Sequence, residues 1–325
     1  MADSAPLVQD NFFADPSGRV FNNKLYIYPS HDRRTTIPDD DNGSQYDMAD
    51  YHVLSMDDIG GKVTVHGKAF GLEDVPWASK QLWAPDCGYK NGKYYFYFPA
   101  RDKEGIFRIG VAVSDTPEGP FKPEAEPIAG SYSIDPAVLV DDDSEAYLYF
   151  GGIWGGQLQC WRTGEFDGNA YQTMEAAGDE AALTPRVATL SDDMKSFNGG
   201  VHELVINDRD GKPIHSSDHD RRFFEAAWMH KGPNGRYYFS YSTGDTHYIV
   251  YAVGDSPIGP FTYAGRILEP VQGWTTHHSI VEFKGKTYLC YHDTSISGHN
   301  HLRSAKIREL VYDEEGRLRL AHPQE

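Results

Sequence analysis

Three carboxyl side chains occupy matching places in this 325-residue chain. Asp15, in Ala14-Asp15-Pro16-Ser17, lies just ahead of an aromatic run at 23–32. Asp135, in Ser133-Ile134-Asp135-Pro136-Ala137, stands just ahead of a similar run at 145–152, and Glu225, in Phe223-Phe224-Glu225-Ala226-Ala227-Trp228, just ahead of another at 235–242. Apolar surroundings disfavour the charged form of a carboxyl group, so Glu225 reads as an acid that keeps its proton near neutral pH. An Asp-Pro dipeptide is also an ordinary turn opener. Two of them and a Glu in register with one repeat point instead to a shared task. The chemistry that uses a charged and a protonated carboxyl together is glycoside hydrolysis: roughly 6.5–9.5 Å between the two leaves room for a water, and the anomeric centre inverts. A third carboxylate beside the acid raises its pKa by like-charge repulsion. On this reading Asp15 is the base, Glu225 the acid and Asp135 the neighbour that tunes the acid.

Such a set needs a scaffold that brings distant segments to one mouth. One pattern recurs five times, a turn with Gly or Asn followed by a short aromatic strand: Asn23-Lys24-Leu25-Tyr26-Ile27-Tyr28, Gly92-Lys93-Tyr94-Tyr95-Phe96-Tyr97, Glu145-Ala146-Tyr147-Leu148-Tyr149, Gly235-Arg236-Tyr237-Tyr238-Phe239 and Gly285-Lys286-Thr287-Tyr288-Leu289. A second echo links Val111-Ala112-Val113-Ser114-Asp115-Thr116-Pro117 with Tyr251-Ala252-Val253-Gly254-Asp255-Ser256-Pro257, each a strand running into a Pro/Gly turn. Five strand-turn units about 50 to 90 residues apart predict an all-β, five-bladed β-propeller. No linker or composition break divides the chain, so residues 1–325 are expected to form one catalytic propeller. The polar, acidic stretch 165–222 reads as extended loops.

Composition narrows the partners. Twenty-one Tyr and 16 Phe favour strands. A net charge of −18 argues against nucleic acid and anionic membrane surfaces and leaves neutral ligands such as sugars open. Cys87, Cys160 and Cys290 are odd in number and far apart, which disfavours a disulfide framework or a zinc site and fits a reducing compartment. The first residues show no signal-peptide pattern and no 18-residue apolar run occurs, so the expected location is cytoplasmic.

The carboxyls in their contexts resemble glycoside hydrolase family 43 over nearly the whole chain. The resemblance implies a five-bladed propeller with inverting chemistry, and places Asp15, Asp135 and Glu225 at the family's base, pKa-modulating and acid positions. The chain departs from the commonest family wording at Ala14 for Pro, Ala226 for Gly after the acid, and Ser144 for a turn Gly. Before the fifth repeat, Thr276-His277-His278-Ser279 matches a Gly-His-x-Ser segment with Thr276 in the Gly place; the match implies that His277 lies in the channel beside a calcium ion with water ligands. Arg303 matches a family arginine that contacts substrate hydroxyls.

Trp77 and Trp83 are candidates for stacking on a sugar, one of them being expected in the core. Asp32, at the end of the first aromatic run, is expected to face the channel and bind a hydroxyl. The Gly-rich segment 150–156 lacks a phosphate-loop pattern and reads as a close-packed loop. The acidic runs 39–41 and 141–143 read as solvated turns. The expected activity is an exo-acting β-1,4-xylosidase releasing xylose from xylo-oligosaccharides, with α-L-arabinofuranosidase side activity. A dedicated arabinofuranosidase, an endo-arabinanase and a non-catalytic sugar-binding propeller are the alternatives.

Overall fold

Each aromatic run is the second strand of a four- or five-stranded blade, antiparallel but for one edge strand. The computed structural model describes residues 4–172 and 175–321. Blade one runs through Phe12–Phe21, Lys24–Asp32, Asp50–Met56 and Thr64–Gly71, from the centre outward. Blade two follows with Asp86–Lys90, Lys93–Asp102, Phe107–Ser114 and Lys122–Pro123, and Ala78–Lys80 extends its sheet. Blade three is Ala137–Val140, Ala146–Phe150, Arg186–Thr189 and His202–Glu203. Blade four is Glu225–Lys231, Tyr237–Ser242, Ile249–Gly254 and Phe261–Leu268, with Ile206–Asn207 parallel at its outer edge. Blade five is His278–Phe283, Lys286–Asp293, Ser304–Tyr312 and Leu318–Leu320. The innermost strands touch in chain order and the last touches the first, which makes the five sheets a closed propeller.

The second strands are buried on both faces because each blade is sandwiched between two others, and this is why they read as unbroken aromatic runs rather than alternating ones. Their tyrosines join the blades. The Tyr28 hydroxyl donates to the Pro117 carbonyl (2.7 Å), Tyr97 to Met194 (2.8 Å), Tyr149 to Pro257 (2.8 Å) and Tyr238 to Gly316 (2.7 Å), each in a turn of the following blade. The two echoed Pro turns are therefore acceptors for the blade before them. Among the described residues the ring closes without a shared strand. Leu7 N–H donates to Ala305 O (2.8 Å), the Ser279 hydroxyl bridges Gly18 N–H and Pro16 O (2.8 and 2.6 Å), and Phe13, Ile27 and Leu54 pack against Val281, Phe283 and Ile307.

The stretch 165–222 is not only loop. It carries the two outer strands of blade three and the edge strand of blade four. Arg186-Val187-Ala188-Thr189 is buried but only four residues long and without an aromatic side chain, so it left no repeat to find. Among the described residues no helix is long and apolar enough to cross a membrane, and Cys87, Cys160 and Cys290 are buried free thiols.

Candidate active site

The start of each innermost strand projects one side chain into the same cleft. Asp15, Ala84, Asp135, Glu225 and His277 stand at this place in blades one to five, and all five line one cleft. The backbone there is unusual. Asp15, Asp135 and Ala226 have φ of 48°, 58° and 60°, in the left-handed region that L-residues avoid. In blades one and four the pairing with the second strand slips at this point, between Ala14 and Ser17 and between Glu225 and Trp228. Such bulges re-aim side chains, here towards the axis.

Asp15 is buried and held on every side. Its Oδ1 accepts from Arg303 Nη1 (2.9 Å), its Oδ2 accepts from the Ser30 hydroxyl (2.6 Å), and its N–H donates to His292 Nδ1 (3.0 Å). That last bond fixes the histidine tautomer: Nδ1 accepts, so Nε2–H donates to the Thr275 carbonyl (3.0 Å). Burial alone would raise the Asp15 pKa; the Arg303 guanidinium, the His292 and His277 rings and the Ser30 hydroxyl together outweigh it and hold the carboxyl down at about 2. Arg303 is in turn clamped by Asp32, whose Oδ2 accepts from its backbone N–H (2.8 Å) and Nε (2.9 Å), while Oδ1 accepts from Nη2 (2.8 Å).

Glu225 and Asp135 carry the opposite perturbation. Both carboxyls are pushed well above the usual range, first by burial, then by negative neighbours: Asp15 acts on Glu225, and Glu225 and Asp15 act on Asp135. Repulsion is mutual, so the retained proton belongs to the pair. Asp135 Oδ2 also accepts from the N–H of Ala226 (2.7 Å), which ties it to the backbone of the residue after Glu225. His277 Nδ1 lies 3.9 Å from Asp15 Oδ1 and 3.7 Å from Asp135 Oδ2, beyond hydrogen-bonding reach. Burial keeps its ring neutral, with a pKa lowered to about 4.

The cleft thus gathers Asp15, Asp135, Glu225, Trp83, His277 and Arg303. Asp32 lies behind Arg303 rather than in the wall, and Trp77 is core, stacked on Phe98 at 5.9 Å. Sequence reading missed three parts of the wall. The run Asp39-Asp40-Asp41, read as a solvated turn, rims the cleft, because Gly43 (φ 71°) lies so close to Trp83 that a Cβ would fall 2.7 Å from the indole. The segment 150–156 is close-packed as expected: a Cβ on Gly152 or Gly156 would sit 2.6 or 2.8 Å from Ile134, yet its Trp154 also faces the cleft. Phe224, Trp274 and Asn300 complete the rim, with Asn300 donating to Asp39 (2.8 Å) and accepting from Trp274 N–H (3.1 Å). Lone aromatics in loops carry no periodic signal, which is why they were overlooked.

The sequence profile of glycosyl hydrolases family 43 matches residues 11–318. The chain belongs to this family. It is 64% identical, over 98% of its length and 100% of the relative's, to a Xylosidase/arabinosidase 43A of Humicola insolens. It is 54% identical to a β-xylosidase of Xylanibacter ruminicola, over 95% of this chain and 96% of that one. Among solved structures, a GH43 β-xylosidase/α-arabinofuranosidase from a compost microbial metagenome, in complex with xylotriose in a calcium-free form, superposes with a TM-score of 0.95 at 62% identity, covering 97% and 96% of the two chains. The family 43 propeller described here is a glycoside hydrolase.

Proposed function

We propose that this family 43 enzyme is an exo-acting β-1,4-xylosidase that removes terminal xylose from xylo-oligosaccharides with inversion, and that it releases α-L-arabinofuranose as a side activity. The observation that carries the reading is the opposed pair in one cleft: Asp15 held charged by Arg303, and Glu225 held protonated by burial. The names of relatives at 54–64% identity supply the sugar, and the relative solved with xylotriose supplies the oligosaccharide. The bridge from Asp39 through Asn300 to the Trp274 backbone walls one side of the cleft, which favours chain ends over open polymer.

In the proposed mechanism Asp15 takes a proton from a water as it attacks the anomeric carbon, and Glu225 gives its proton to the departing oxygen. Asp135 keeps Glu225 protonated by repulsion and fixes its backbone through Ala226. Arg303 keeps Asp15 charged and touches substrate, and Asp32 acts through Arg303. Trp83, with Trp154 and Trp274, offers apolar faces to the sugars. Calcium in the channel belongs to the same proposal. His277 is buried and neutral, so a ring nitrogen has a lone pair to offer, and among the described residues no His, Cys, Asp and Glu trio converges there, which leaves water to fill most of the shell. When bound, the ion would supply positive charge and ordered water beside the carboxyls. Three buried free thiols accord with a cytoplasmic location.

The test is direct. Rates on aryl β-xyloside, aryl arabinofuranoside, xylotriose and debranched arabinan are compared, and the first sugar released is read by proton NMR. Fast xylotriose cleavage giving α-xylose is expected; β-xylose, or internal cuts in arabinan, would overturn the reading. Activity lost in chelator and restored by calcium is the expected result for the metal, and indifference to chelator counts against it.

A further inference from the structure

On the flank of blade one, outside the catalytic cleft, two histidines and an aspartate face one another. His31 Nδ1 lies 2.7 Å from Asp50 Oδ1, His52 Nε2 lies 3.5 Å from Asp50 Oδ2, and all three ligand-type atoms fall within 4.8 Å of one another. None of the three residues lines the cleft. Their side chains are 18%, 31% and 20% exposed for His31, Asp50 and His52, enough for solvent to reach a group placed between them.

What distinguishes the trio from an ordinary ion pair is where the other ring nitrogens point. His52 Nδ1 faces the His66 carbonyl at 3.1 Å; a carbonyl only accepts, so this nitrogen carries the hydrogen. His31 Nε2 faces Asn11 Oδ1 at 3.1 Å, and the Phe12 N–H donates to the same oxygen (2.9 Å), which identifies it as the amide oxygen and makes Nε2 the donor. Both rings therefore have their outward N–H committed and turn an inward lone pair towards a carboxylate, which has no hydrogen to give. Something positive must lie between them, either a proton on each inward nitrogen or a single metal ion.

Outward N–H groups anchored on oxygen acceptors are the supporting arrangement seen around metal-bound histidines, because it fixes the tautomer and aims the free nitrogen. Around a tetrahedral ion at the usual zinc–nitrogen length, ligand atoms stand about 3.3 Å apart; the His52–Asp50 spacing of 3.5 Å is close to this, while the 2.7 Å between His31 and Asp50 is that of a hydrogen bond and would open as an ion entered. The rings are also braced. His31 stacks on Phe13 (5.1 Å) and meets His52 edge-on (4.8 Å), so the site is held in shape by packing. Two imidazoles and one carboxylate suit zinc, copper or nickel rather than calcium, which seeks an all-oxygen shell.

We propose that His31, Asp50 and His52 form a binding site for one divalent transition-metal ion of the zinc class, with solvent completing the coordination. The site is separate from the channel position beside His277 and does not depend on the proposed substrate. Its position is informative, since His31 precedes Asp32, the residue that clamps Arg303 against Asp15. An ion there would stiffen the end of the strand that supports the base.

The experiment uses the full chain, freed of metal with chelator, in excess calcium to occupy any channel site. Zinc chloride is titrated in calorimetrically. One equivalent is expected to bind; His52→Gln should weaken that binding roughly tenfold or more, and His277→Gln should leave it unchanged. Crystals of the unaltered protein soaked in zinc chloride give a readout independent of variant folding, an anomalous peak between His31, Asp50 and His52. No uptake, uptake insensitive to His52→Gln, or an anomalous peak elsewhere only would overturn the proposal, whatever sugar the enzyme cleaves.

Discussion

Two carboxyls of one family of chemistry end up about as far apart in proton affinity as their surroundings allow. Asp15 is buried with a guanidinium against one oxygen, whereas Glu225, half-buried in the wall of the cleft, is raised first by desolvation and then by the Asp15 carboxylate, with Arg303 opposing. A pH profile follows with definite signs. Catalysis requires Glu225 protonated, so kcat/KM should fall as pH rises through its raised pKa, whereas the limb set by Asp15 lies near pH 2 and is expected to be masked by acid unfolding. Asp135→Asn removes the negative partner of the acid. The basic limb should then move to lower pH, a shift visible in kcat/KM profiles; an unmoved limb would mean that Asp135 acts only through its bond to Ala226. Glu225→Gln should reduce turnover of xylotriose by about 10²–10⁴. An aryl xyloside with a strongly acidic leaving phenol needs no proton from the enzyme and should lose much less, and equal losses on both substrates would remove Glu225 from the role of acid.

At the scale of the element, the hairpin turns show how a repeat is written and where it can be rewritten. Asn22-Asn23, Asn91-Gly92 and Lys284-Gly285 have consecutive positive φ values (52° and 59°, 53° and 77°, 51° and 76°), the geometry that two-residue hairpins require. Ser144, one of the departures from family wording, sits at φ 70° and is exposed. Ser144→Gly should therefore stabilise the protein by about 1 kcal/mol, read as a rise in denaturation midpoint, since strain is relieved and no burial is lost. Ala226, also in the left-handed region, is a contrasting case. Glycine there would relieve strain but give up a fully buried methyl worth about 0.8 kcal/mol, so Ala226→Gly should be nearly neutral in the same assay. The turns and second strands were legible in sequence because burial on both faces writes aromatic runs and positive φ writes Gly or Asn. The short outer strands after residue 165 and the loops that rim the cleft were not, because strands of two to four residues and a loop held by single contacts, such as Gly43 on Trp83, impose no period.

The whole molecule depends on a staple that no repeat announces. Arg19, on the inner strand of blade one, forms a salt bridge with Asp86 of blade two, its Nε donating to Oδ1 at 2.9 Å, and gives a further bond to the Val138 carbonyl of blade three (2.7 Å). Its guanidinium also lies 4.2 Å from the ring centroid of Trp228 in blade four, whose Nε1–H donates to Ile280 O of blade five (3.0 Å). One side chain thus ties its own blade to three others and reaches the fifth through Trp228. Asp86 is fully buried and also accepts from Val138 N–H (2.7 Å), three residues beyond Asp135, so the same contact fixes the strand that carries a site carboxyl. The sequence marked Asp15, Asp135 and Glu225 because their contexts repeat; Arg19 occurs once, and only the closed ring shows what it joins. Arg19→Met keeps the length of the side chain and removes its charge, leaving the Asp86 carboxylate buried without a cation. Removing one partner of a buried pair costs about 3–5 kcal/mol, so the denaturation midpoint should drop sharply. Arg19→Met combined with Asp86→Asn should recover part of that loss, because no uncompensated charge remains. If the single variant unfolds at the same denaturant concentration as the unaltered protein, the blades are held by their apolar contacts alone and the staple is incidental.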